Sequence, residues 1–269
     1  MSRLMIERDG LHIVSELDGP ADADVVTLAH AQVLDRTSWD PTVAALVERY
    51  RVLRLDLRGH GESSVPHSEL TIEDLADDVL AVLDAHGLDR THFVGSSLGG
   101  MIGFSLALDH PERLHSVTFT ATQGVLPVAS HERLRANAEA LRQSGETMDL
   151  LADTILERFM VDGFADTDPD GYERTRDQVA ATSVEGYVRT SLAIIAMNYD
   201  DRLEHLSVPT MVIAGELDRA TPPERMQLYR DRIPGARMAI IDGAGHFPFI
   251  DQPAAYNAAL AGFLDGLEV

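Results

Sequence analysis

The chain has 269 residues, 22 of them basic and 44 acidic, which gives a formal net charge of −22 at pH 7. Its 45% hydrophobic and 25% charged residues are the composition of an ordinary globular protein. The excess of acids argues against a nucleic-acid partner or an anionic membrane surface, because binding phosphate groups requires clustered cations. No cysteine is present and every basic residue is arginine, so thiolate and lysine chemistry are both excluded.

Short runs rich in β-branched residues alternate with helical patterns along the chain. Buried strands are predicted at residues 25–29, 52–56, 92–94, 116–120, 211–214 and 237–241. Between the second and third of these strands, apolar residues repeat at helical spacing from Ile72 to Leu83, and Thr71 with Asp74 predicts a capping box. Strands that alternate with helices are typical of a mostly parallel sheet covered on both faces.

The strand pattern stops between residues 123 and 207, where four helical patterns follow one another. They lie at 131–143, 148–160, 171–181 and 185–197, with a cluster of turn-forming residues at 166–171. We therefore predict a helical cap, 123–207, inserted between two late strands of a core formed by residues 1–122 and 208–269. The alternative interpretation is a set of extra helices that flank the sheet.

Residues 95–99 carry the sequence GSSLG, which fits the pattern G-x-S-x-G. The pattern is informative here because it follows a predicted strand and precedes a helical run at 101–108. Such a sharp turn strains the backbone of the serine, and only small neighbours let strand and helix approach so closely. The turn would present Ser97 at a helix N-terminus, where negative charge is stabilised, so Ser97 is the predicted nucleophile. A buried structural serine in a glycine-rich turn is the alternative.

A serine hydroxyl needs a base to become nucleophilic, and the base needs an acid that orients it. In chains with this motif, the order is serine, then the acid, then histidine. His246 follows a predicted strand in a glycine-rich loop and is the predicted base. Of three competing acids, Asp218 is favoured over Glu216, which is adjacent to the strand end, and over Asp242, which we expect to brace the histidine loop.

Acyl transfer also requires two N–H groups that bind the oxyanion of the tetrahedral intermediate. Leu98, directly after the nucleophile, is predicted to supply one, and Gln32, in the loop after the first predicted strand, the other. We interpret His30 in the same loop, and His60 in the turn at 58–63, as residues that brace loop backbones. The spacing of the other histidines and carboxylates predicts no metal site.

With these residues in place, the chain resembles the α/β-hydrolase superfamily over nearly its whole length and is similar to the 3-oxoadipate enol-lactonases. The resemblance is carried by segments 38–41, 51–61, 95–101, 213–215 and 220–223, and in the cap by 155–159 and 185–187. It implies the α/β-hydrolase fold, the triad of Ser97, Asp218 and His246, and no cofactor. The chain departs from the superfamily at Ala31, where glycine is usual, and from the lactonases at Phe159, where tryptophan is common.

The sequence thus predicts a serine hydrolase that cleaves an ester or lactone of a small-molecule substrate through an acyl-enzyme. Two other enzyme classes stay open: a carbon–carbon bond hydrolase of ring-cleavage products, and a general carboxylesterase or perhydrolase. A small-molecule sensor with the hydrolase fold is the alternative outside the enzymes.

A carboxylate-bearing substrate would require local cations in so acidic a protein. Arg158 and Arg189 are the predicted candidates, because each lies beside apolar residues in the predicted cap. Phe159 and Phe247 are predicted to supply apolar substrate contacts. The chain has neither a signal-peptide pattern nor a run approaching 18 apolar residues, so we expect a cytoplasmic protein. We also expect a monomer or homodimer.

Overall fold

The computed structural model describes residues 2–267, whose strands form one eight-stranded sheet. The strands in chain order are β1 Ser2–Arg8, β2 Leu11–Asp18, β3 Val25–Ala29, β4 Arg51–Leu55, β5 Thr91–Ser96, β6 Leu114–Thr120, β7 Thr210–Gly215 and β8 Arg237–Ile241. Their spatial order is β1-β2-β4-β3-β5-β6-β7-β8. β1–β2 and β2–β4 are antiparallel, and all pairs from β4 to β8 are parallel. The mostly parallel sheet is confirmed, and each of the six predicted strands is present.

The hairpin of β1 and β2 was not predicted, although the sequence contains a signal for it. Asp9 and Gly10 connect the two strands, and both have positive φ angles, 56° and 74°. An Asp-Gly pair at this position is typical of a tight hairpin turn. The hairpin extends the sheet beyond β4 and leaves β1 at its edge.

Helices cover both faces of the sheet. The α-helices within the described range are α1 Asp40–Leu46, α2 Ile72–Ala85, α3 Leu98–Asp109, α4 Val128–Ser144, α5 Ala152–Phe159, α6 Phe164–Thr167, α7 Pro169–Ala181, α8 Val184–Ala196, α9 Pro223–Arg232, α10 Pro248–Asp251 and α11 Pro253–Leu264. Short 3₁₀ helices lie at Arg36–Trp39, Pro111–Arg113, Met148–Leu151 and Asp200–His205. No helix within residues 2–267 has the length and apolar character needed to cross a membrane.

The predicted start of α2 is confirmed in detail. The Thr71 hydroxyl accepts the Asp74 N–H at 3.1 Å, and the Asp74 carboxylate accepts the Thr71 N–H at 2.9 Å. These two bonds satisfy backbone donors that have no partner within the first helical turn. Gly87, with φ +68°, follows the last turn of α2, as a residue after a helix end commonly does.

Helices α4 to α8, which we call the cap helices, occupy the segment between β6 and β7 where the strand pattern stops. The two connections of this segment to the sheet meet in an antiparallel bridge between Val125 and Asn198. The predicted turn cluster at 166–171 was partly wrong, because α7 begins inside it at Pro169. Asp168 caps α7 by accepting the Gly171 N–H at 2.9 Å, and proline is favourable in a first helical turn.

The central strands β3, β5 and β7 are buried along their whole length, because apolar helices pack on both sides of them. On one side the core includes Trp39, whose ring stacks on Phe249 with centroids 4.0 Å apart. On the other it includes Phe104, stacked on Phe119 at the same distance. Parallel strands end at one edge of the sheet, so the loops after β3, β5, β7 and β8 lie near one another.

Candidate active site

Ser97 lies on the sharp turn between β5 and α3, with φ +50° and ψ −109°. A side chain at Gly95 would come within 2.2 Å of the Gly99 carbonyl oxygen, and one at Gly99 within 2.2 Å of the Ala29 carbonyl oxygen. Both flanking glycines are therefore required for strand, turn and helix to pack. The strained turn predicted from the sequence is confirmed.

Three side chains predicted to act together are linked by hydrogen bonds. The Ser97 Oγ lies 3.1 Å from His246 Nε2, and His246 Nδ1 lies 2.8 Å from Asp218 Oδ2. Asp218 and His246 are each 3% exposed. An ionised carboxylate can only accept, so Nδ1 carries the proton of the neutral ring and Nε2 is left to accept from the serine hydroxyl.

Asp218 is surrounded by donors from the loop after β7. Oδ1 accepts the N–H groups of Ala220 and Thr221 at 2.7 and 3.0 Å, and Oδ2 accepts the Thr221 hydroxyl at 2.6 Å. Burial by itself would raise the pKa of this carboxyl. Attraction to the imidazolium form of His246, together with the hydrogen bonds from His246 and Thr221, outweighs burial and lowers the pKa to about 2.

Two other acids hold the histidine loop, and neither is the one to which the sequence gave this role. Asp242, expected to brace this loop, is exposed, and Glu216 takes that role by accepting the Gly243 N–H at 2.8 Å. Asp251, which the sequence analysis missed, is buried and accepts the Gly245 N–H at 2.7 Å. Its place on the short helix α10, beyond the glycine-rich loop, gives no local pattern that would reveal this contact.

The two predicted oxyanion donors lie on loops that are joined to each other. Leu98 is the first residue of α3, so its N–H has no acceptor within the helix. The Gly99 N–H donates to the His30 carbonyl at 3.2 Å, which ties the Ser97 turn to the loop after β3. Gln32, in that same loop, lines one cavity with Ser97.

The two histidines expected to brace loops do so. Leu57 N–H donates to His30 Nε2 at 3.0 Å, and His30 Nδ1–H donates to the Ala31 carbonyl at 2.8 Å. His60 lies between the carbonyls of Arg58 and Gln32. Burial lowers the pKa of both rings to about 4, so each is neutral at pH 7. A neutral His60 has one N–H and can donate to only one of its two carbonyls at a time.

A cavity of about 270 Å³ opens over Ser97 and His246. Cap helices α4, α5 and α8 supply much of its wall, including Leu134, Phe159, Tyr187 and Ile194. Its charged wall residues are four arginines, Arg133, Arg158, Arg219 and Arg225, and no described aspartate or glutamate lines it. In a chain with twice as many acids as bases, this is a local reversal of charge.

Of the two arginines that the sequence proposed for substrate contact, one lines the cavity. Arg158 lines the cavity with its guanidinium 5.2 Å from the Phe159 ring centroid. Arg189 instead pairs with Glu185 at 2.6 Å and is not among the residues that line the cavity. Both occur on amphipathic cap helices, and the local sequence does not show which one turns inward.

The other three cavity arginines were not proposed from the sequence. Arg219 pairs with Asp162 at 2.7 Å, and Arg225 donates to Gln123. Within residues 2–267, Arg133 and Arg158 form no ion pair with a carboxylate. These two guanidinium groups therefore have their charges available to a ligand.

Phe159 and Phe247 also differ in position, because only Phe159 lines the cavity. The Phe159 ring lines the cavity and stacks on His246 with centroids 4.8 Å apart, and its carbonyl accepts the His246 N–H at 2.8 Å. Phe247 is 1% exposed and packs behind His246, at 5.4 Å between ring centroids. Phe247 is not among the residues that line the cavity, and its ring packs against the histidine ring. A substrate contact by Phe247 stays a prediction.

Residues 24–253 match the alpha/beta hydrolase fold family. The chain belongs to this family. It is 29% identical to 3-oxoadipate enol-lactonase 1 of Acinetobacter baylyi over 99% of this chain and 98% of that one.

Two solved structures superpose on at least 97% of the chain. The enol-lactonase from Burkholderia xenovorans LB400 has a TM-score of 0.92 and 31% identity, with 97% of this chain and 100% of that chain covered. A thermophilic esterase from Thermogutta terrifontis with malate bound has a TM-score of 0.92 and 28% identity, with both chains fully covered. Among the described residues, no group of three or more histidines and carboxylates is placed to hold a metal ion.

Proposed function

We propose that the protein is a serine hydrolase that cleaves an ester or lactone bond of a small carboxylate-bearing substrate. The observation that carries the proposal is the hydrogen-bonded series Ser97, His246 and Asp218, which opens into a cavity with cationic walls. In this family arrangement a serine hydroxyl, a neutral imidazole and an ionised carboxylate perform acyl transfer.

In the first half of the reaction, Ser97 Oγ attacks the acyl carbon as His246 Nε2 takes the hydroxyl proton. The carbonyl electrons move to the oxygen, which the N–H groups of Gln32 and Leu98 stabilise. Asp218 stabilises the imidazolium that forms. The tetrahedral intermediate then expels the ester oxygen, His246 gives that oxygen its proton, and the acyl group stays on Ser97.

In the second half, water replaces the leaving oxygen. His246 takes a proton from the water, whose oxygen attacks the acyl carbon of the ester formed with Ser97. The second tetrahedral intermediate expels Ser97 Oγ, which recovers its proton from His246, and the free acid leaves. When the substrate is a lactone, the expelled oxygen remains part of the same product molecule, so one hydroxy acid or its keto form is released.

The charge of the cavity supports a carboxylate on the substrate. Arg133 and Arg158 have no carboxylate partner in the described chain, and arginine binds carboxylates through two parallel hydrogen bonds. Two related proteins agree with this: one is named for an enol-lactone of an oxo-diacid, and the esterase structure contains malate, a dicarboxylate. A lactone or ester with a free carboxylate is therefore the substrate class we propose.

Replacing the nucleophile tests the mechanism. We expect Ser97→Ala to fold normally and to lose several orders of magnitude in kcat, because only the oxyanion and binding contributions remain. A serine-reactive phosphonate should label the wild-type protein once, at Ser97, as measured by mass spectrometry. Labelling at another residue, or an active Ser97→Ala variant, would contradict the mechanism.

A matched pair of substrates and a matched pair of variants test the substrate class. We expect a carboxylate-bearing lactone to exceed its neutral methyl ester in kcat/KM, and Arg158→Ala to remove most of that preference. The loss expected for one charge-assisted hydrogen bond is about 1.5–3 kcal/mol in transition-state binding. Arg189→Ala is the control, since Arg189 lies on the same cap but pairs with Glu185 outside the cavity.

A general carboxylesterase is the second candidate function, since the esterase from Thermogutta terrifontis covers the whole chain at 28% identity. Unlike the first candidate, a general carboxylesterase is not expected to prefer a substrate with a free carboxylate over the corresponding neutral methyl ester. Equal kcat/KM on the carboxylate and its methyl ester, unchanged in Arg158→Ala and Arg133→Ala, would favour the carboxylesterase.

A further inference from the structure

The side chain of Gln32 joins the oxyanion loop to cap helix α8. Its Nε2 lies 3.0 Å from the Tyr187 carbonyl oxygen, 2.9 Å from Thr190 Oγ1 and 2.8 Å from Ser191 Oγ. Thr190 and Ser191 are fully buried. The three acceptors follow one another along a single helical turn, and the two amide hydrogens can bond them only if α8 is seated on the loop.

The backbone of Gln32 has a contact of its own with the core. The Gln32 carbonyl contacts His60 Nε2, in the turn that follows β4. That turn itself touches α8, because a side chain at Gly59 would lie 2.4 Å from the Gly186 Cα. Gln32, the turn at 58–61 and α8 therefore form one closed set of contacts.

A second cap contact reaches the next residue of the loop. The Thr182 hydroxyl, between α7 and α8, donates to the Val33 carbonyl at 3.2 Å. The cap is thus bonded to two successive residues of the loop that carries the proposed oxyanion donor. Other cap bonds lie further away, such as the one from Gln178 Nε2 to Thr37 Oγ1 at 2.9 Å.

We propose that Gln32 is a positioning residue whose side chain transmits the position of α8 to its own backbone N–H. The cap then has a second task besides enclosing the substrate, since its seating on the core sets the geometry of the oxyanion hole. This inference rests on the proposed function, in which the Gln32 N–H binds the oxyanion.

The physical reason is the steep dependence of catalysis on donor position. An N–H group stabilises the oxyanion when it lies about 2.7–3.1 Å from the oxygen, and displacement by about 1 Å can cost on the order of 10²-fold in rate. The Gln32 amide and the Gln32 N–H belong to one residue. A bond that fixes the side-chain amide to α8 therefore restricts rotation of the backbone N–H.

The main experiment compares two variants that each remove one glutamine amide between cap and core. Gln32→Met keeps side-chain length and the backbone N–H but cannot donate to α8. Gln178→Met is the matched control, because Gln178 lies outside the Ser97 cavity. We expect Gln32→Met to lose roughly 10- to 100-fold in kcat with KM within about twofold, and to react with the phosphonate correspondingly more slowly. Gln178→Met should stay within about twofold of wild type.

The acceptor side supplies a second test that does not alter the cavity wall. The double variant Thr190→Val with Ser191→Ala removes two acceptors from α8 while Gln32 stays in place. We expect its kcat to fall as that of Gln32→Met does. The triple variant that combines all three substitutions should be no slower than Gln32→Met or the double variant, because all of them remove the same contact between Gln32 and α8. Unfolding midpoints of all variants show that each is folded at the assay temperature.

The outcomes separate this inference from the proposed function. Wild-type kcat in Gln32→Met, an equal loss in Gln178→Met, or losses that multiply in the triple variant would overturn the positioning role while Ser97 stays the labelled nucleophile. An active Ser97→Ala variant, or phosphonate labelling elsewhere, would overturn the proposed function itself.

Discussion

Asp218 and Asp251 are both buried beside His246, but their surroundings move their pKa values in opposite directions. Asp218 receives a hydroxyl, two backbone N–H groups and the imidazole, and its pKa falls to about 2. For Asp251, burial outweighs the Gly245 N–H and raises the pKa to about 7. Its Oδ1 is buried without a hydrogen-bond partner among the described residues. Compensation by donors, more than burial, decides which acid is ionised at neutral pH.

The assignment of the orienting acid gives a prediction at the residue scale. We expect Asp218→Asn to lose about 10⁴-fold in kcat, because the amide favours the wrong tautomer of His246. Asp242→Asn is the matched control, since Asp242 lies four residues from His246 but is exposed. Steady-state kinetics of the two variants decide the assignment, and a larger loss in Asp242→Asn would reverse it.

The raised pKa of Asp251 predicts how stability depends on pH. The folded protein binds more protons at this site than the unfolded chain between about pH 4 and 7, so the free energy of unfolding falls as pH rises through that window. Asp251→Asn lacks this titration and leaves Asp218 and His246 in place. We expect the free energy of unfolding of Asp251→Asn, relative to that of wild type, to increase from pH 5 to pH 8. The increase is at most about 1.4 kcal/mol per pH unit below pH 7. Urea denaturation measures the free energy of unfolding of both proteins. The same difference between variant and wild type at pH 5 and pH 8 would contradict this prediction.

At the scale of whole elements, one contact between cap helix α8 and the core involves no side chain. Gly186 on α8 lies against Gly59, and an added Cβ at Gly186 would come within 2.4 Å of the Gly59 carbonyl oxygen. Backbone cannot move aside as a flexible side chain can. The position of α8, and with it the Tyr187 and Ile194 wall of the cavity, therefore depends on this contact.

Adding a methyl group at this contact should destabilise the protein. We expect Gly186→Ala to lower the free energy of unfolding by about 1–3 kcal/mol, as overpacking of a tight contact does. Gly262→Ala on α11 is the control, because nothing lies within 4 Å of its added Cβ and alanine favours a helix by up to about 1 kcal/mol. Chemical denaturation measures the free energy of unfolding of both variants. An unchanged value in Gly186→Ala would mean that α8 can shift freely.

At the scale of the whole molecule, charge is distributed unevenly. The chain carries −22, yet the cavity over Ser97 presents four arginines and no described acid. A larger cavity of about 710 Å³ lies between α7 and the Arg36–Trp39 helix, and its charged wall residues are four aspartates and one arginine, Asp35, Asp40, Asp168, Asp177 and Arg174. The smaller cavity combines Ser97, the proposed nucleophile, with a cationic wall, so we expect an anionic substrate to be repelled by the surface and attracted at the site.

The net charge predicts a salt dependence of stability. Mutual repulsion of surface carboxylates destabilises the compact state, and about 0.15 M salt shortens the screening length to about 8 Å. We expect the unfolding midpoint at pH 8 to rise when salt is increased from about 0.01 M to 0.15 M. A falling midpoint in differential scanning calorimetry would show that the surface ion pairs outweigh the net repulsion.

The sequence by itself determined the features that depend on neighbouring residues. Alternating strand and helix patterns predicted six strands and the helical segment between β6 and β7, and GSSLG predicted the strained turn at Ser97. The order of motifs along the chain also brought together Ser97, Asp218 and His246, because parallel strands end at one edge of a sheet. Periodicity and turn chemistry act over a few residues, so they can be read locally.

Only the tertiary structure decided which similar residues face the site. Arg158 lines the cavity while Arg189 pairs with Glu185, and Phe159 covers His246 while Phe247 packs behind it. Asp251 reaches the histidine loop from a separate helix. Each outcome depends on how helices dock against distant loops, and that docking is set by packing between segments far apart in sequence, which local composition does not encode.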